Sequence, residues 1–204
     1  RLIALIKGDE WAGAENTRPI AIGETLRRLT GKCLLRARRA VMERRALTIR
    51  NFAFTSDGCS NVVKLVQLYA HAHPGHVVLT ADVETAFQSA PRTQMERALH
   101  EDEGLRPLLP YFYSLYADAA ALYFGADVLT SKEGCQQGCS LGTLLYVLSI
   151  LPVILKLMEE FPDCMILGFS DDYYICGPPA EAAACLRRYG ELLAERDQRL
   201  KFSK

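Results

Sequence analysis

The feature that most restricts how this chain can fold is the stretch from Met165 to Gly177, in which two apolar runs flank a pair of adjacent aspartates. The runs, separated by Ser170, Asp171 and Asp172, predict a β-hairpin with its turn at or near these three residues, because Asp tolerates a tight turn. Two neighbouring carboxylates repel each other, and a divalent cation with hard oxygen ligands would relieve that repulsion. For an Asp-Asp pair by itself a solvated turn is the simpler interpretation, so a metal site requires a further acid.

That further acid is Asp82, near the end of the β-branched run 77–83, which predicts a buried strand. We expect its charge to be paired or metal-bound, because an isolated buried carboxylate is costly. Strand ends placed side by side would bring Asp82, Asp171 and Asp172 together. Three acids are the ligand set for two Mg²⁺ ions about 4 Å apart, which stabilise the attacking and leaving oxygens of a displacement at phosphorus.

Charge is divided unevenly along the chain, although the formal net charge is zero. Residues 1–50 contain 12 Lys or Arg against 5 Asp or Glu, whereas residues 51–204 contain 12 against 19. Most of the N-terminal cations lie on a helix predicted from Glu24 to about Arg45 by the spacing of its apolar residues. This helix is either a solvated face or, as its excess of cations favours, a surface for phosphates.

The remaining pattern predicts helices interleaved with few strands, and the hairpin makes part of the sheet antiparallel, so the fold class is α+β. The other predicted helices span residues 61–72, 91–100, 105–123, 143–159 and 180–196, an edge strand is predicted at 128–132, and residues 1–15 show no period. The uncharged run Leu141–Leu155 is shorter than the roughly 20 residues needed to cross a bilayer, so we expect a buried core helix and no membrane association.

The cysteines and histidines point away from a zinc site. None of the seven cysteines forms a C-x-x-C pair, which favours a reducing, intracellular compartment and leaves nucleus and cytoplasm open. The cluster of His71, His73 and His76 has no acid or Cys partner at ligand spacing and is interpreted as a polar loop.

Several ordered motifs together resemble the reverse transcriptase domain of retroelements, most closely the non-LTR retrotransposon and related cellular types, and the palm of right-hand polymerases. The first is Asn16-x-Arg18-Pro-Ile20 with Lys32, which resembles the fingers segment whose cations meet the template and the incoming triphosphate. The second is Asp82-Val-Glu-Thr-Ala-Phe87, which resembles the first palm motif. By this resemblance Asp82 and the Val83 carbonyl bind the metals, and Phe87 is a steric gate beneath the sugar.

Two further motifs extend the resemblance to about residues 16–204. Gln136-Gln137-Gly138 followed by Leu141-Gly142 is similar to the loop that supports the nascent base pair, and Phe169-Ser-Asp-Asp172 is similar to the aromatic-x-Asp-Asp signature. Lys204 corresponds to a lysine proposed to donate a proton to pyrophosphate. The chain departs from the family at Cys139-Ser140, where Asp-Pro is usual, at Thr143, where Pro is usual, and at Phe169, where Tyr is commoner. None of these changes removes a metal ligand.

The resemblance implies a polymerase palm, a small antiparallel sheet backed by helices, at residues 76–204, with partial fingers in the basic region 1–75. It implies an RNA-directed DNA polymerase with two Mg²⁺ ions, for which Mn²⁺ is a substitute, and with an RNA template, a DNA primer and deoxynucleoside triphosphates as partners. No thumb is recognised in the sequence, so we expect one, and an endonuclease or RNase H domain, elsewhere in the same polyprotein.

Three other functions stay open. The first is a non-catalytic nucleic-acid-binding domain derived from a reverse transcriptase. The second is an RNA-dependent RNA polymerase, against which Phe87 argues because RNA synthesis must admit the 2′-hydroxyl. The third is a two-metal nuclease, which would explain neither the Arg-Pro-Ile segment nor the Gln-Gln-Gly loop.

Overall fold

The structure is a computed structural model that describes residues 2–6 and 17–201, with only the backbone described at residues 5, 6, 17 and 18. The strands are β1 (Leu2–Ile6), β2 (Thr17–Ala21), β3 (Val77–Ala81), β4 (Ala120–Phe124), β5 (Asp127–Ser131), β6 (Met165–Phe169) and β7 (Asp172–Gly177). The helices are α1 (Thr25–Leu47), α2 (Gly58–Ala72), α3 (Ala86–Ser89), α4 (Arg92–Glu101), α5 (Leu109–Tyr116), α6 (Gly142–Glu160) and α7 (Pro179–Ala194), with a 3₁₀ helix at Arg106–Leu108 before α5.

The central sheet is antiparallel and has the strand order β3-β7-β6. The hairpin of β6 and β7 pairs Met165 with Cys176 and Phe169 with Asp172. On its other side β7 pairs with β3 from Val77 opposite Gly177. Strands β1 and β2 form one separate two-stranded sheet, and β4 and β5 form another. The α+β class and the predicted hairpin are therefore confirmed.

Helix α6 forms the centre of the hydrophobic core and confirms the predicted core helix. Almost every residue from Leu144 to Ile154 is buried, and α1, α3, α4 and α7 pack against the helix. Helices α2 and α7 also pack on the central sheet. By length and composition α6 could cross a membrane, but 67% of its most apolar window is buried inside the protein.

Two strands were not predicted as such. Residues 1–15 have no clear period, yet β1 pairs with β2 through five residues, Leu2 opposite Ala21 to Ile6 opposite Thr17. The helix predicted over 105–123 is wrong at its end, because β4 pairs with β5 through a turn in which Gly125 has a φ of 59°. The alanines at 117–121 favour a helix locally, but cross-strand pairing outweighs that intrinsic propensity.

The prediction of a buried strand over 77–83 is also wrong in part. Strand β3 ends at Ala81 and lies at the edge of the sheet. Its side chains alternate between a more buried and a more exposed face, and Val78 on the exposed face is 37% exposed. Asp82 follows the strand and is exposed to solvent. The expectation of a buried carboxylate at this position fails, because water reaches the edge and the end of the sheet.

The histidine cluster is not a simple loop. His71 lies in the last turn of α2, which begins at Gly58, earlier than predicted. Beyond the helix, His73 stacks between Tyr69 and His76, and the Tyr69 hydroxyl lies 2.8 Å from His76 Nδ1. His73 and His76 therefore form an aromatic cluster with Tyr69 at the end of α2.

Candidate active site

The two aspartates of the hairpin lie at its turn. Strand β6 ends at Phe169 and β7 begins at Asp172, so Ser170 and Asp171 form a two-residue turn. Ser170 has a φ of 59°, in the left-handed region that non-glycine residues rarely adopt. Asp171 is half-buried and Asp172 is exposed, so both carboxylates are presented at one end of the sheet.

The backbone brings Asp82 to the same end of the sheet. Ala81, the last residue of β3, is paired with Tyr173, so the backbone of Asp82 directly after the strand lies beside Asp172. The segment after the strand is held by residues 199–201. The Lys201 N–H donates to the Asp82 carbonyl at 2.8 Å, and Val83 forms a β-bridge with Leu200. The expected convergence of the two strand ends is therefore present.

The side chains of Asp82, Asp171 and Asp172 are not arranged as a complete metal-binding site. In the described part of the chain, no group of three or more His, Cys, Asp or Glu side chains is arranged to hold a metal ion. Among the residues whose side chains the structure describes, none forms a salt bridge with Asp82 or Asp171. By position and by their all-oxygen donor set the three acids fit a hard divalent ion, which would have to draw the carboxylates together.

Phe87 lies in α3, close to the Gly-rich loop. Its ring stacks on the buried ring of Tyr146, with centroids 5.3 Å apart and an interplanar angle of 27°. Burial, with a smaller contribution from the charge of Asp171, holds the pKa of Tyr146 well above its ordinary value, so the hydroxyl stays neutral. The Phe87 carbonyl accepts a hydrogen bond from the Cys135 N–H at 2.7 Å. A ring held in this way has a defined orientation.

The loop 134–142 lies against β2 and the start of α1. The Gln137 carbonyl accepts a hydrogen bond from the Ala21 N–H of β2 at 2.7 Å. Gly138 has a φ of 100° and approaches β2 so closely that a Cβ there would lie 2.6 Å from the Ala21 oxygen. Ser140 Oγ donates to the Arg28 carbonyl at 3.2 Å. The structure thus brings the predicted nucleotide-binding residues Gln137 and Gly138 beside β2 and α1.

Helix α1 presents a predominantly basic surface. Glu24 caps its N-terminus by accepting a hydrogen bond from the Arg27 N–H at 3.1 Å. The exposed cations of the helix, here called the basic stripe, are Arg28, Lys32, Arg36, Arg39 and Arg44. The predicted helix and the position of Lys32 on it are confirmed. Arg18 lies in β2 but its side chain is not described, and Lys204 lies outside the described residues.

Sequence reasoning missed two residues that hold the site in shape. Arg92 donates to the Gly134 carbonyl at 2.8 Å and to the Ser131 hydroxyl at 3.0 Å, and its guanidinium lies over the Tyr116 ring. It therefore secures the start of the Gly-rich loop. Asn51 is 1% exposed and bonds the turn of the hairpin. Neither residue belongs to a motif, and its partners are distant in sequence.

Comparison with known proteins gives no sequence-level match, neither to a protein-family model nor to a curated protein. Solved structures do match. Telomerase from Candida albicans, in complex with the TWJ fragment of telomeric RNA, superimposes with a TM-score of 0.60 at 11% identity, covering 87% of this chain and 34% of the telomerase chain. Apo telomerase from Candida tropicalis, truncated from its C-terminal domain, gives 0.55 at 9% identity, covering 92% of this chain and 48% of that one.

The chain shares the fold of these two telomerase structures. Identities this low establish the fold alone. The chain spans about a third to a half of the length of these solved structures. The central sheet with the Asp171–Asp172 hairpin, backed by helices, confirms the predicted palm.

Proposed function

We propose that this chain is the palm and part of the fingers of an RNA-directed DNA polymerase of the non-LTR retrotransposon type, which adds deoxynucleotides to a primer 3′-hydroxyl on an RNA template. The observation that carries the proposal is the backbone position of Asp82, which lies beside the Asp171–Asp172 turn at one end of the central sheet. The reverse-transcriptase-like fold supports it, and so does the position of Phe87 beside the Gly-rich loop.

The metal ligands are the carboxylates of Asp82, Asp171 and Asp172 with the Val83 carbonyl. Two backbone hydrogen bonds join residues 82–84 to residues 199–201, one accepted by the Asp82 carbonyl and one donated by the Glu84 N–H. The Val83 carbonyl takes part in neither of them, which supports its role as a metal ligand. Two Mg²⁺ ions, or Mn²⁺ in their place, would activate the 3′-hydroxyl and stabilise the departing pyrophosphate. The chain's own contribution is to hold the three acids at adjacent strand ends, where solvent and substrate can reach them.

Choice of sugar is assigned to Phe87. A ring packed beneath C2′ leaves no room for a hydroxyl group, which favours deoxynucleotides. The stack on Tyr146 supports this role, because a gate that could rotate away would not discriminate. This argument favours DNA synthesis over an RNA polymerase on the same palm.

The fingers side is assigned to nucleic-acid contacts. The basic stripe of α1 would bind phosphates, Arg18 and Lys32 would meet the template and the incoming triphosphate, and Gln137 with Gly138 would support the nascent base pair. Lys204 is proposed as the proton donor to pyrophosphate. A thumb, and an endonuclease or RNase H domain, would belong to the same polyprotein, and the protein would act inside the cell.

Primer extension tests the proposal. A DNA primer annealed to an RNA template is incubated with deoxynucleoside triphosphates and Mg²⁺, using the wild type, Asp171→Asn and the control Asp118→Asn, which changes an exposed acid outside the site. We expect extension by the wild type and the control and none by Asp171→Asn. Extension that persists in Asp171→Asn would refute the assigned role. Salt-dependent nucleic-acid binding without extension by the wild type would favour the non-catalytic domain.

A further inference from the structure

Asn51 is a buried polar residue at the side of the central sheet. It follows α1 closely in sequence and is 1% exposed. Its backbone forms a parallel β-bridge with Gly168 of β6. The Phe52 N–H donates to the Gly168 carbonyl at 2.8 Å, and the Gly168 N–H donates to the Arg50 carbonyl at 3.0 Å. The segment therefore extends the sheet beyond β6, beside the hairpin turn.

The side-chain amide of Asn51 has its full set of hydrogen bonds. Nδ2 donates to the Ser170 carbonyl at 2.9 Å and to the Tyr173 hydroxyl at 3.0 Å. Oδ1 accepts from the Ser170 N–H at 3.2 Å and from the Ala53 N–H at 3.1 Å. Two donors and two acceptor positions are all that an amide offers. Two of these four bonds hold the N–H and the carbonyl of a single residue, Ser170.

Ser170 is the residue of the turn that most needs such support. Its φ of 59° lies where a side chain is disfavoured and glycine is the usual occupant. Nothing in the local sequence compensates, because glycine occupies neither turn position. The amide of Asn51 matches both backbone groups of Ser170 in this conformation and so favours it over the alternatives.

We infer that Asn51 is a positioning residue for the catalytic aspartates, acting through the backbone of Ser170. The inference rests on the proposed function. Asp171 and Asp172 directly follow Ser170, so the turn determines where their carboxylates point. Misplacement of a reacting group by about 1 Å can lower a rate by about 100-fold. Asn51 therefore orients metal ligands that it does not itself touch.

The first test replaces the amide in two backgrounds. Asn51→Ala removes all four side-chain bonds, and Ser170→Gly allows the turn to adopt its positive φ without help. Mn²⁺ binding is followed by the paramagnetic broadening of the amide NMR signals of residues 170–172, which needs no activity. We expect Asn51→Ala to raise the half-saturating Mn²⁺ concentration at least fivefold and to lower incorporation about 100-fold, and Ser170→Gly to restore most of both losses.

The double variant Asn51→Ala/Ser170→Gly decides the question even where Asn51→Ala alone does not fold. A folded double variant with a half-saturating Mn²⁺ concentration within threefold of the wild type supports the inference. A double variant that folds but remains impaired overturns it, and so does one that fails to fold, because the amide would then serve the core rather than the turn. A folded Asn51→Ala with unchanged Mn²⁺ broadening would also overturn it.

Tyr173→Phe is the matched control. It removes one of the four bonds of Asn51 and leaves both bonds to Ser170 in place. We expect its Mn²⁺ dependence to stay within twofold of the wild type, and a shift as large as that of Asn51→Ala would contradict the role assigned to Ser170. If the wild-type protein shows Mn²⁺ broadening at residues 170–172 but incorporates no nucleotide, the proposed polymerase function is contradicted. The inference on Asn51 is not, because it is tested by metal binding alone.

Discussion

Replacing Gly134 by Ala is expected to damage the fold where the Gly-rich loop meets α3. Gly134 has a φ of 63°, and a Cβ at this position would lie 2.1 Å from the Gln88 carbonyl oxygen and 2.5 Å from its Cα. These are backbone atoms, so no side-chain rotation can make room. The next residue, Cys135, bonds the Phe87 carbonyl, so any displacement reaches the proposed gate.

The expected size follows from two contributions. A left-handed conformation costs a non-glycine residue about 1–2 kcal/mol. Ordinary contact begins near 3.4 Å, so the loop or α3 must move by about 1.3 Å, and overpacking of this kind costs about 1–3 kcal/mol. The free energy of unfolding should therefore fall by about 2–5 kcal/mol, a large share of the 5–15 kcal/mol typical of a domain.

Urea unfolding followed by circular dichroism measures this loss, with two glycines as matched controls. Gly125 has a φ of 59°, but a Cβ at its position would meet no atom within 4 Å, so Gly125→Ala isolates the backbone contribution of about 1–2 kcal/mol. Gly75 has neither constraint, and Gly75→Ala should change stability by less than about 0.5 kcal/mol. If Gly134→Ala were no more destabilising than Gly125→Ala, the close approach to Gln88 would be disproved.

Four other results are expected. Phe87→Ala should raise ribonucleotide use relative to deoxynucleotide use, measured by competition in primer extension, and an unchanged ratio would remove the gate. Replacing Arg28, Arg36 and Arg39 by Gln should make the salt dependence of nucleic-acid binding less steep. The negative slope of the logarithm of the association constant against the logarithm of the salt concentration should shrink in magnitude by about 0.7–0.9 for each phosphate that the protein no longer neutralises. An unchanged slope would show that these arginines are solvated surface. Burial raises the pKa of Cys185 to about 12, so iodoacetamide at pH 8 should label this thiol only after unfolding. Because a raised pKa stabilises the fold only while the thiol is protonated, stability should also fall as pH rises from about 9 towards 12, and early labelling of Cys185 would contradict its burial.

The hairpin could be predicted because its signal is local. Two apolar runs interrupted by turn-forming residues allow few other structures, and the structure places the turn at Ser170 and Asp171. Helices α1 and α6 could be predicted for the same reason, since each repeats an apolar pattern over many residues. The local pattern does not show which strands pair with each other in the sheet. Burial of Asp82 was wrongly expected because the edge position of β3 depends on pairing with β7, more than 90 residues away.

The roles of Asn51 and Arg92 in supporting the site could not be predicted from the local sequence. The bonds of Asn51 to Ser170 join residues 119 positions apart, and those of Arg92 to the Gly-rich loop span about 40. In the sequence, Asn51 is one polar residue in a turn-rich segment and Arg92 is one cation on a helix. Only the fold brings each of them to the backbone carbonyls and amides that it satisfies.

The most direct test of the shared metal site is a double-mutant cycle between Asp82 and Asp172, which lie on different strands. Single-nucleotide incorporation on a DNA primer and RNA template is measured in Mg²⁺ for the wild type, Asp82→Asn, Asp172→Asn and the double variant. Residues that serve one unit have strongly non-additive effects. We predict that the activity of the double variant is at most about tenfold below that of the less active single variant. Losses that multiply, or a single variant with wild-type activity, would contradict one shared metal site at the end of the sheet.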